Sequence, residues 1–115
     1  MLPKQWRLPL RKERGFFDQA KKHFDHGVTS FYSSSPDLTF AVIIKKSDFA
    51  KSTERNRAKR RVGHLLNQVA LENQEIKGEE KIKGKFVFVL SRRCLKLDDQ
   101  QLKNTLISHM NYFGN

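Results

Sequence analysis

The chain has 115 residues, which suffice for one domain with a single modest core. Its 23 Lys and Arg residues outnumber 12 Asp and Glu residues, and the formal net charge of +11 indicates a polyanionic partner. The single cysteine excludes an internal disulfide and a cysteine-based zinc site, and no apolar run is long enough for a membrane span. We therefore expect a single domain over residues 1–115 of a soluble, cytoplasmic protein without membrane contact.

The first part of the chain changes from irregular to periodic. Residues 1–14 contain two prolines and five basic side chains without a period, which predicts an irregular arm that faces nucleic acid. From Phe16 onward apolar residues recur at helical spacing, and Gly27 suits the stop of a helix over about 16–26. Residues 28–33 could form a short strand before a turn rich in serine.

Two predicted strands bracket a long helix in the centre of the chain. Residues 38–44 are apolar on both faces, which predicts an internal strand that is covered on two sides. A loop at about 47–53 leads to residues 54–72, which carry an apolar stripe at helical spacing. A polar loop over 73–84 then precedes a second strand at 85–90. The two strands would enclose a β-α-β crossover if they are parallel neighbours.

A last helix is predicted near the C-terminal end of the sequence. Asp98 and Gln101 have the spacing of a capping box, and apolar residues then recur at helical spacing up to Phe113. The predicted order is helix, strand, strand, helix, strand, helix. This order favours an α+β fold in which a small mixed central sheet carries packed helices.

Residues 45–61 hold the most concentrated charge of the chain. Eight of these residues are Lys or Arg and two are acidic, so the stretch contributes +6 of the net charge. A helix anchored by its apolar stripe cannot turn these cations away from one another, and an extended polyanion relieves their repulsion. Solvated helix faces usually mix both signs, whereas Glu54 is the only acid between Lys51 and Glu72. The stretch therefore indicates contact with RNA or DNA.

Patterns typical of catalytic and metal sites are absent from the sequence. It contains no nucleophile elbow, no phosphate-binding glycine loop and no paired carboxylates. His23 and His26 are three residues apart, but no further ligand completes a metal site. We therefore expect no catalytic residue and no metal ligand in the protein itself.

One arrangement of residues is distinctive. An apolar strand ends in Lys45 and Lys46, and about eight residues later Arg-Asn-Arg-Ala-Lys-Arg, residues 55–60, opens the basic helix. Phe-Asp-His-Gly at 24–27 and the strand 86–90 followed by Ser-Arg-Arg extend the pattern. Together these features resemble the protein subunit of bacterial ribonuclease P, and the resemblance covers essentially the whole chain.

The resemblance implies a function and two sets of site residues. In that family the catalyst is RNA, and the protein helps it to remove the 5′ leader from precursor tRNA, with Mg²⁺ held mainly by the RNA. The resemblance also implies a left-handed crossover at the basic helix. The residues implied to contact the catalytic RNA are Lys45, Lys46, Lys51, Arg57, Arg60 and Arg61. The residues implied to line a leader-binding cleft between the sheet and the basic helix are Phe16, Phe17, Phe24, Arg55, Asn56 and Lys59.

The sequence departs from the family's pattern at three places. Gly63 and His64 stand where the family usually has Arg and Glu, the first-helix aromatic residues are spaced differently, and the loop 47–53 contains Asp48 and Phe49. These departures concern the implied cleft more than the basic helix.

Two other functions share the same charge and size. A ribosomal or general RNA-binding protein would lack any association with a catalytic RNA. A DNA-binding domain would place the helix 54–72 in a major groove, but that helix buries one face and offers a single Asn for reading bases. The oligomeric state stays open.

Overall fold

The structure is a computed structural model, and it describes residues 4–12, 15–44, 51–76 and 81–114. Short 3-10 turns occur at Lys4–Trp6, Leu10–Lys12 and Cys94–Lys96. The α-helices are α1 (Phe16–Gln19), α2 (Ser52–Gln74) and α3 (Asp99–Gly114). The strands are β1 (Lys21–Asp25), β2 (Val28–Ser33), β3 (Leu38–Ile44) and β4 (Gly84–Leu90). None of the described helices is long and apolar enough to cross a membrane.

The four strands form one mixed sheet in the order β1-β2-β4-β3. β1 pairs with β2, and β2 with β4, in antiparallel fashion, whereas β3 and β4 run parallel. The predicted α+β fold and the parallel neighbours around α2 are confirmed, and the predicted order of elements gains one strand, β1.

Hydrophobic clusters cover both faces of this sheet. On one face α2 and α3 pack against alternate strand residues such as Phe40, Phe86 and Phe88, which are almost fully buried. On the opposite face Leu8 and Phe16 bury Val87. We call the first the helix-covered face and the second the open face.

Strand β3 lies at the edge of the sheet, so its prediction as an internal strand is wrong in position. The prediction that both of its faces are covered is confirmed, because Phe40 belongs to the helix-covered cluster while Ala41 packs on the open face. The outer edge meets the N-terminal arm: Arg7 forms a parallel bridge with Phe40, and the Leu8 amide donates to the Phe40 carbonyl at 2.7 Å. The arm thus shields an edge that would otherwise expose unpaired backbone groups.

The crossover from β3 through α2 to β4 is left-handed. The Phe40 side chain faces α2, and its carbonyl accepts from Leu8 on the side away from β4. In a strand of L-residues, the direction of the chain and the direction of a side chain together determine to which side the carbonyl of that residue points. Viewed from α2 with β3 running upward, the Phe40 carbonyl points right, so β4 lies to the left. A covering helix that leads to a strand on the left makes a left-handed turn, contrary to the general rule for such units.

The predicted helix over 16–26 is wrong beyond its first turn. Ala20 has an extended backbone (φ −73°, ψ 141°), which ends α1 at Gln19. His26 and Gly27 both have positive φ, as a tight two-residue hairpin turn requires, and they join β1 to β2. Gly27 therefore lies in a hairpin turn and does not end a helix. The helical spacing of apolar residues was outweighed by pairing with β2, the adjacent strand of the hairpin.

The other predicted elements are confirmed with small shifts of their ends. Helix α2 begins two residues before the predicted start and ends two residues after the predicted end. At the start of α3 the capping box is present: the Gln101 amide donates to Asp98 Oδ1 at 2.8 Å, and the Asp98 amide donates to Gln101 Oε1 at 3.2 Å. The polar loop after α2 is held by Asn73, whose side chain makes two hydrogen bonds to the backbone of Ile82.

Candidate nucleic-acid interface

The first three turns of α2 present cations to solvent. The apolar stripe of the helix, which includes Ala58 and Val62, is buried against the sheet and α3, so the opposite side faces outward. The exposed polar residues from the N-cap through this part of the helix are Lys51, Ser52, Thr53, Asn56, Arg57, Lys59 and Arg60. In the part of the chain that the structure describes, Arg57, Lys59 and Arg60 make no ion pair. Lys45 and Lys46, two further predicted contacts, lie outside the described residues.

This charge is unfavourable for the isolated helix. The N-terminal end of an α-helix carries a partial positive charge, and acidic residues are the ones that stabilise it. Here the first turn contains one acid, Glu54, and no side chain caps the helix. Glu54 itself forms an ion pair with Arg92, with 3.6 Å between Glu54 Oε2 and Arg92 Nη2. Cations at this end cost stability unless an anion lies beside them.

Arg61 is turned toward α3. Its Nε donates to Asp99 Oδ1 at 2.7 Å, its Nη1 donates to the Leu95 carbonyl at 2.8 Å, and its Nη2 donates to the Leu97 carbonyl. Three of the five N–H donors of the guanidinium are thus used inside the protein. The predicted contact of Arg61 with RNA stays a prediction, but the structure gives this side chain a clear role in holding α3.

A groove runs along the outer edge of β3, between the N-terminal arm and α2. Its volume is about 390 Å³. Its floor is apolar and comes from Leu8, Leu10 and residues 40–42, and its rim is basic and comes from Arg7, Lys59 and Arg60. Gly63, which has no side chain, also lines the groove at a position where the resemblance implies Arg. We call this site the arm groove.

The sequence interpretation did not find the contribution of the arm to this groove. It predicted that residues 1–14 face nucleic acid, but not that Leu8 and Leu10 form part of an apolar groove floor. A signal was present, because Trp6, Leu8 and Leu10 recur at every second position, the spacing of an extended segment along a sheet.

A second depression lies on the other flank of α2. It has a volume of about 360 Å³ and an apolar floor, and its border holds one acid, Glu54, among four cations: Arg57, Arg61, Arg92 and Lys96. Arg57 therefore projects to one flank of α2, whereas Lys59 and Arg60 project to the other. The resemblance implies that Arg57, Arg60 and Arg61 contact the same RNA. In the structure Arg57 and Arg61 border one depression, whereas Arg60 lines the arm groove on the other flank of α2.

The predicted aromatic residues of the cleft have three different environments. Phe16 is 7% exposed and is a core residue of the open face, so it cannot offer a ring face to a base. Phe17 is 48% exposed and meets Phe31 edge to face, with ring centroids 4.9 Å apart. Phe24 is 61% exposed and lies across from Thr29 in the hairpin.

Phe17 and Phe24 do not share a site with the cations of α2. Phe24 projects from the open face, because its neighbour His23 contacts α3 and successive strand residues alternate. Helix α2 packs on the helix-covered face and carries Arg55, Asn56 and Lys59 there. The predicted single cleft is therefore divided into the arm groove and an aromatic patch on the open face.

Metal ligands are not gathered anywhere in the described part of the chain. Within residues 4–12, 15–44, 51–76 and 81–114, no three side chains of His, Cys, Asp or Glu lie close enough together to hold a metal ion.

Fold and site together define a small, basic RNA-binding protein of α+β class, built on a left-handed crossover whose helix opens with an Arg-Asn-Arg motif. A family model described as Ribonuclease P matches residues 2–114, and the chain therefore belongs to the ribonuclease P protein family. It is the protein subunit of ribonuclease P, which works together with a ribonuclease P RNA and precursor tRNA.

Solved structures of similar fold agree with this family. The ribonuclease P protein from Thermotoga maritima in complex with 1-(4-fluorophenyl)-2-thiourea has a TM-score of 0.70 and 17% identity, covering 90% of this chain and 96% of that one. The Staphylococcus aureus ribonuclease P protein has a TM-score of 0.68 and 10% identity, covering 97% of both chains. These likenesses concern the fold. Among curated proteins, none matches this chain significantly.

Proposed function

We propose that this protein assists a catalytic ribonuclease P RNA in removing the 5′ leader from precursor tRNA in the cytoplasm. The observation that carries the proposal is the set of exposed cations Arg57, Lys59 and Arg60, which make no ion pair with the described residues and stand on a helix whose other face is packed into the core. Because the helix cannot rotate, these charges remain presented to a partner. Phosphate groups of RNA would remove their mutual repulsion and release counterions.

The two flanks of α2 have different shapes and would serve different RNA segments. The flank with Arg57 borders a depression whose rim also holds Arg92 and Lys96, and this cationic surface suits phosphates of the folded catalytic RNA. The arm groove combines an apolar floor with Lys59 and Arg60 on its rim. An apolar floor with a basic rim suits a single strand, whose bases can leave solvent while its phosphates contact the cations. We assign the leader to the arm groove.

The exposed ring of Phe17 offers a further place for leader bases. It stands on the open face beside Phe31, and Lys22 lies over Phe31 with 5.9 Å between the ammonium nitrogen and the ring centroid. Each base stacked on an aromatic ring typically contributes roughly 1–3 kcal/mol. A leader that leaves the arm groove around the N-terminal arm would meet this aromatic patch next.

The chemistry of cleavage would belong to the RNA. Mg²⁺ would be held mainly by RNA phosphates, and the protein would favour the compact RNA by neutralising phosphates that its fold brings together. On this basis the protein lowers the Mg²⁺ concentration that cleavage requires, without contributing a ligand to the ion.

Cleavage of a precursor tRNA by a bacterial ribonuclease P RNA at low Mg²⁺ tests the proposal. We expect the wild-type protein to restore cleavage at the mature 5′ end, and the double variant R57A/R60A to fail at the same protein concentration. A Lys96→Ala variant, which removes one cation at the rim of the Arg57 depression, should cause a smaller loss. Raising the Mg²⁺ concentration should rescue the double variant in part.

Two outcomes would contradict the proposal. If the wild-type protein binds RNA but stimulates no ribonuclease P RNA, it acts as a general RNA-binding protein. If R57A/R60A stimulates cleavage as well as the wild type does, the cations of α2 are not the contact with RNA.

A further inference from the structure

An aromatic pair lies on the helix-covered side of β1, away from the arm groove and from the cations of α2. Tyr112 on α3 stacks on His23 of β1, with ring centroids 3.8 Å apart and an interplanar angle of 16°. Tyr112 is nevertheless 57% exposed. Its ring also meets Phe113 edge to face, with centroids 5.3 Å apart, and more than half of the residue remains accessible to a ligand.

The pair is supported by buried groups that hold it in place. The His109 ring meets His23 at 4.9 Å between centroids and is fully buried. His109 Nε2 donates to the Asp25 carbonyl at 3.2 Å, so its Nδ1 accepts from the Ser30 hydroxyl at 2.5 Å. These two bonds fix the His109 ring, and the His23 ring packs against it. The stack is therefore formed before any ligand arrives.

The surroundings of the pair suit a nucleic-acid ligand. Lys21 is exposed and lies two residues before His23, on the same side of β1. An aromatic ring with a free face next to a cation is the combination that binds unpaired bases of RNA, with the cation near the adjoining phosphate. The pair stands at the opposite sheet edge from β3, three strand spacings or about 14 Å away, so it is a site separate from the arm groove.

We propose that the Tyr112–His23 pair is a stacking site for one unpaired RNA base, with Lys21 beside the adjoining phosphate. The proposal rests on the proposed function, since it assumes that the protein binds RNA. The base comes from the catalytic RNA or from the precursor tRNA, and both present the same chemistry to the site. A second copy of the chain would be the alternative occupant, and the experiment below detects it.

Affinity measurements with Tyr112→Ala and Tyr112→Phe test the proposal. One arm measures the binding of each variant to a bacterial ribonuclease P RNA, and the other measures the affinity of the reconstituted holoenzyme for a precursor tRNA with its leader. We expect Tyr112→Ala to weaken binding about 5-fold or more in one arm, which identifies the source of the base. Tyr112→Phe keeps the ring and should stay within about 2-fold of the wild type. The salt dependence should not change, because no cation is lost.

A second variant makes the test independent of any effect on folding. Tyr112→Trp places an indole at the exposed position, and its fluorescence should be quenched when the ribonuclease P RNA or the precursor tRNA saturates the protein. The wild type, in which Trp6 is the only Trp and is buried, serves as the background.

Unchanged affinity of Tyr112→Ala in both arms, or an indole that is not quenched, would overturn the stacking site. Equal losses for Tyr112→Ala and Tyr112→Phe would also overturn it, since they would indicate a contact of the hydroxyl. If Tyr112→Ala changes the sedimentation of the free protein and not its RNA affinity, the pair is an interface between copies. The variant R57A/R60A distinguishes failure of the stacking site from failure of the proposed function. If only the stacking site is wrong, R57A/R60A still loses affinity for RNA.

Discussion

Arg61→Ala should destabilise the protein, whereas Arg57→Ala, four residues earlier, should weaken RNA binding. The Arg61 guanidinium donates to two carbonyls that follow β4 and to Asp99, and its side chain is 27% exposed. The Asp99 carboxylate is 70% exposed, so that ion pair is worth at most about 1 kcal/mol. The two partly buried carbonyls would each lose a charged donor, at a cost of about 1 kcal/mol or more apiece. We expect a total loss of about 2–3 kcal/mol.

Urea denaturation followed by circular dichroism measures this loss. With a slope near about 2 kcal/mol per M urea, the unfolding midpoint of Arg61→Ala should fall by about 1 M or more. Arg61→Lys keeps the charge but cannot serve three acceptors in the same geometry, so its midpoint should lie in between. Arg57→Ala is the matched control, since its exposed side chain makes no ion pair with the described part of the chain. Its midpoint should equal the wild-type value or lie slightly above it, because the variant removes one cation from the N-terminal part of α2.

RNA binding of the same two variants completes the comparison. Arg57→Ala should reduce the dependence of affinity on salt by about one phosphate contact, and Arg61→Ala should leave that dependence nearly unchanged. The reasoning would be refuted if Arg61→Ala unfolded at the wild-type urea concentration and lost the same salt dependence as Arg57→Ala. In that case Arg61 would release α3 and contact RNA.

Three further predictions concern the core and its titration. Phe16→Ala should lower the free energy of unfolding by about 3 kcal/mol in urea denaturation, because the ring is buried. Phe17→Ala should change that free energy little, because its ring is exposed. It should instead weaken the affinity of the holoenzyme for precursor tRNA with a leader, and not for mature tRNA. Asn73→Ala should cost about 2 kcal/mol by the same assay, because it removes both hydrogen bonds that hold the loop after α2; a loss below about 0.5 kcal/mol would contradict this. Burial lowers the pKa of His109 below its usual 6.5, so the unfolded chain binds the proton more readily. Stability should therefore be full above about pH 6.5 and decline as the pH falls below it toward the lowered pKa, and His109→Gln should flatten that part of a thermal-unfolding pH series. The lowered pKa of Asp25, caused mainly by its hydrogen bond with His26, acts in a separate range below about pH 4.

Local patterns were sufficient for most of the elements. The strand at 38–44, the basic helix and the capping box of α3 all have signals that lie within a few residues of one another, and each signal has a local physical cause. The helical spacing from Phe16 to Gly27 is also a local signal, yet it failed. Residues 21–25 obtain their backbone hydrogen bonds from β2, and the tight turn at His26 and Gly27 makes that partner available.

The candidate site was less predictable than the fold. The helical spacing of residues 54–72 separated the buried stripe of the basic helix from its cations. It could not show that Arg61 is held by α3 while Arg57 is not. It also could not show which of two adjacent phenylalanines enters the core. These choices depend on where a distant segment packs, and spacing along the chain does not contain that information.

The sequence by itself determined the class of this protein. The net charge, the concentrated cations of residues 45–61 and the anchored stripe of α2 follow from composition and period, because charge repulsion and burial of apolar surface act on any fold that contains this helix. The tertiary structure decided how the site is divided. It placed β3 at an edge, laid Leu8 and Leu10 beside it to form the arm groove, and placed Phe17 and Phe24 on the open face, away from α2. The physical reason is that the positions of these residues follow from strand order and from long-range pairing. Both depend on how the complete core packs, and not on residues that are close in sequence.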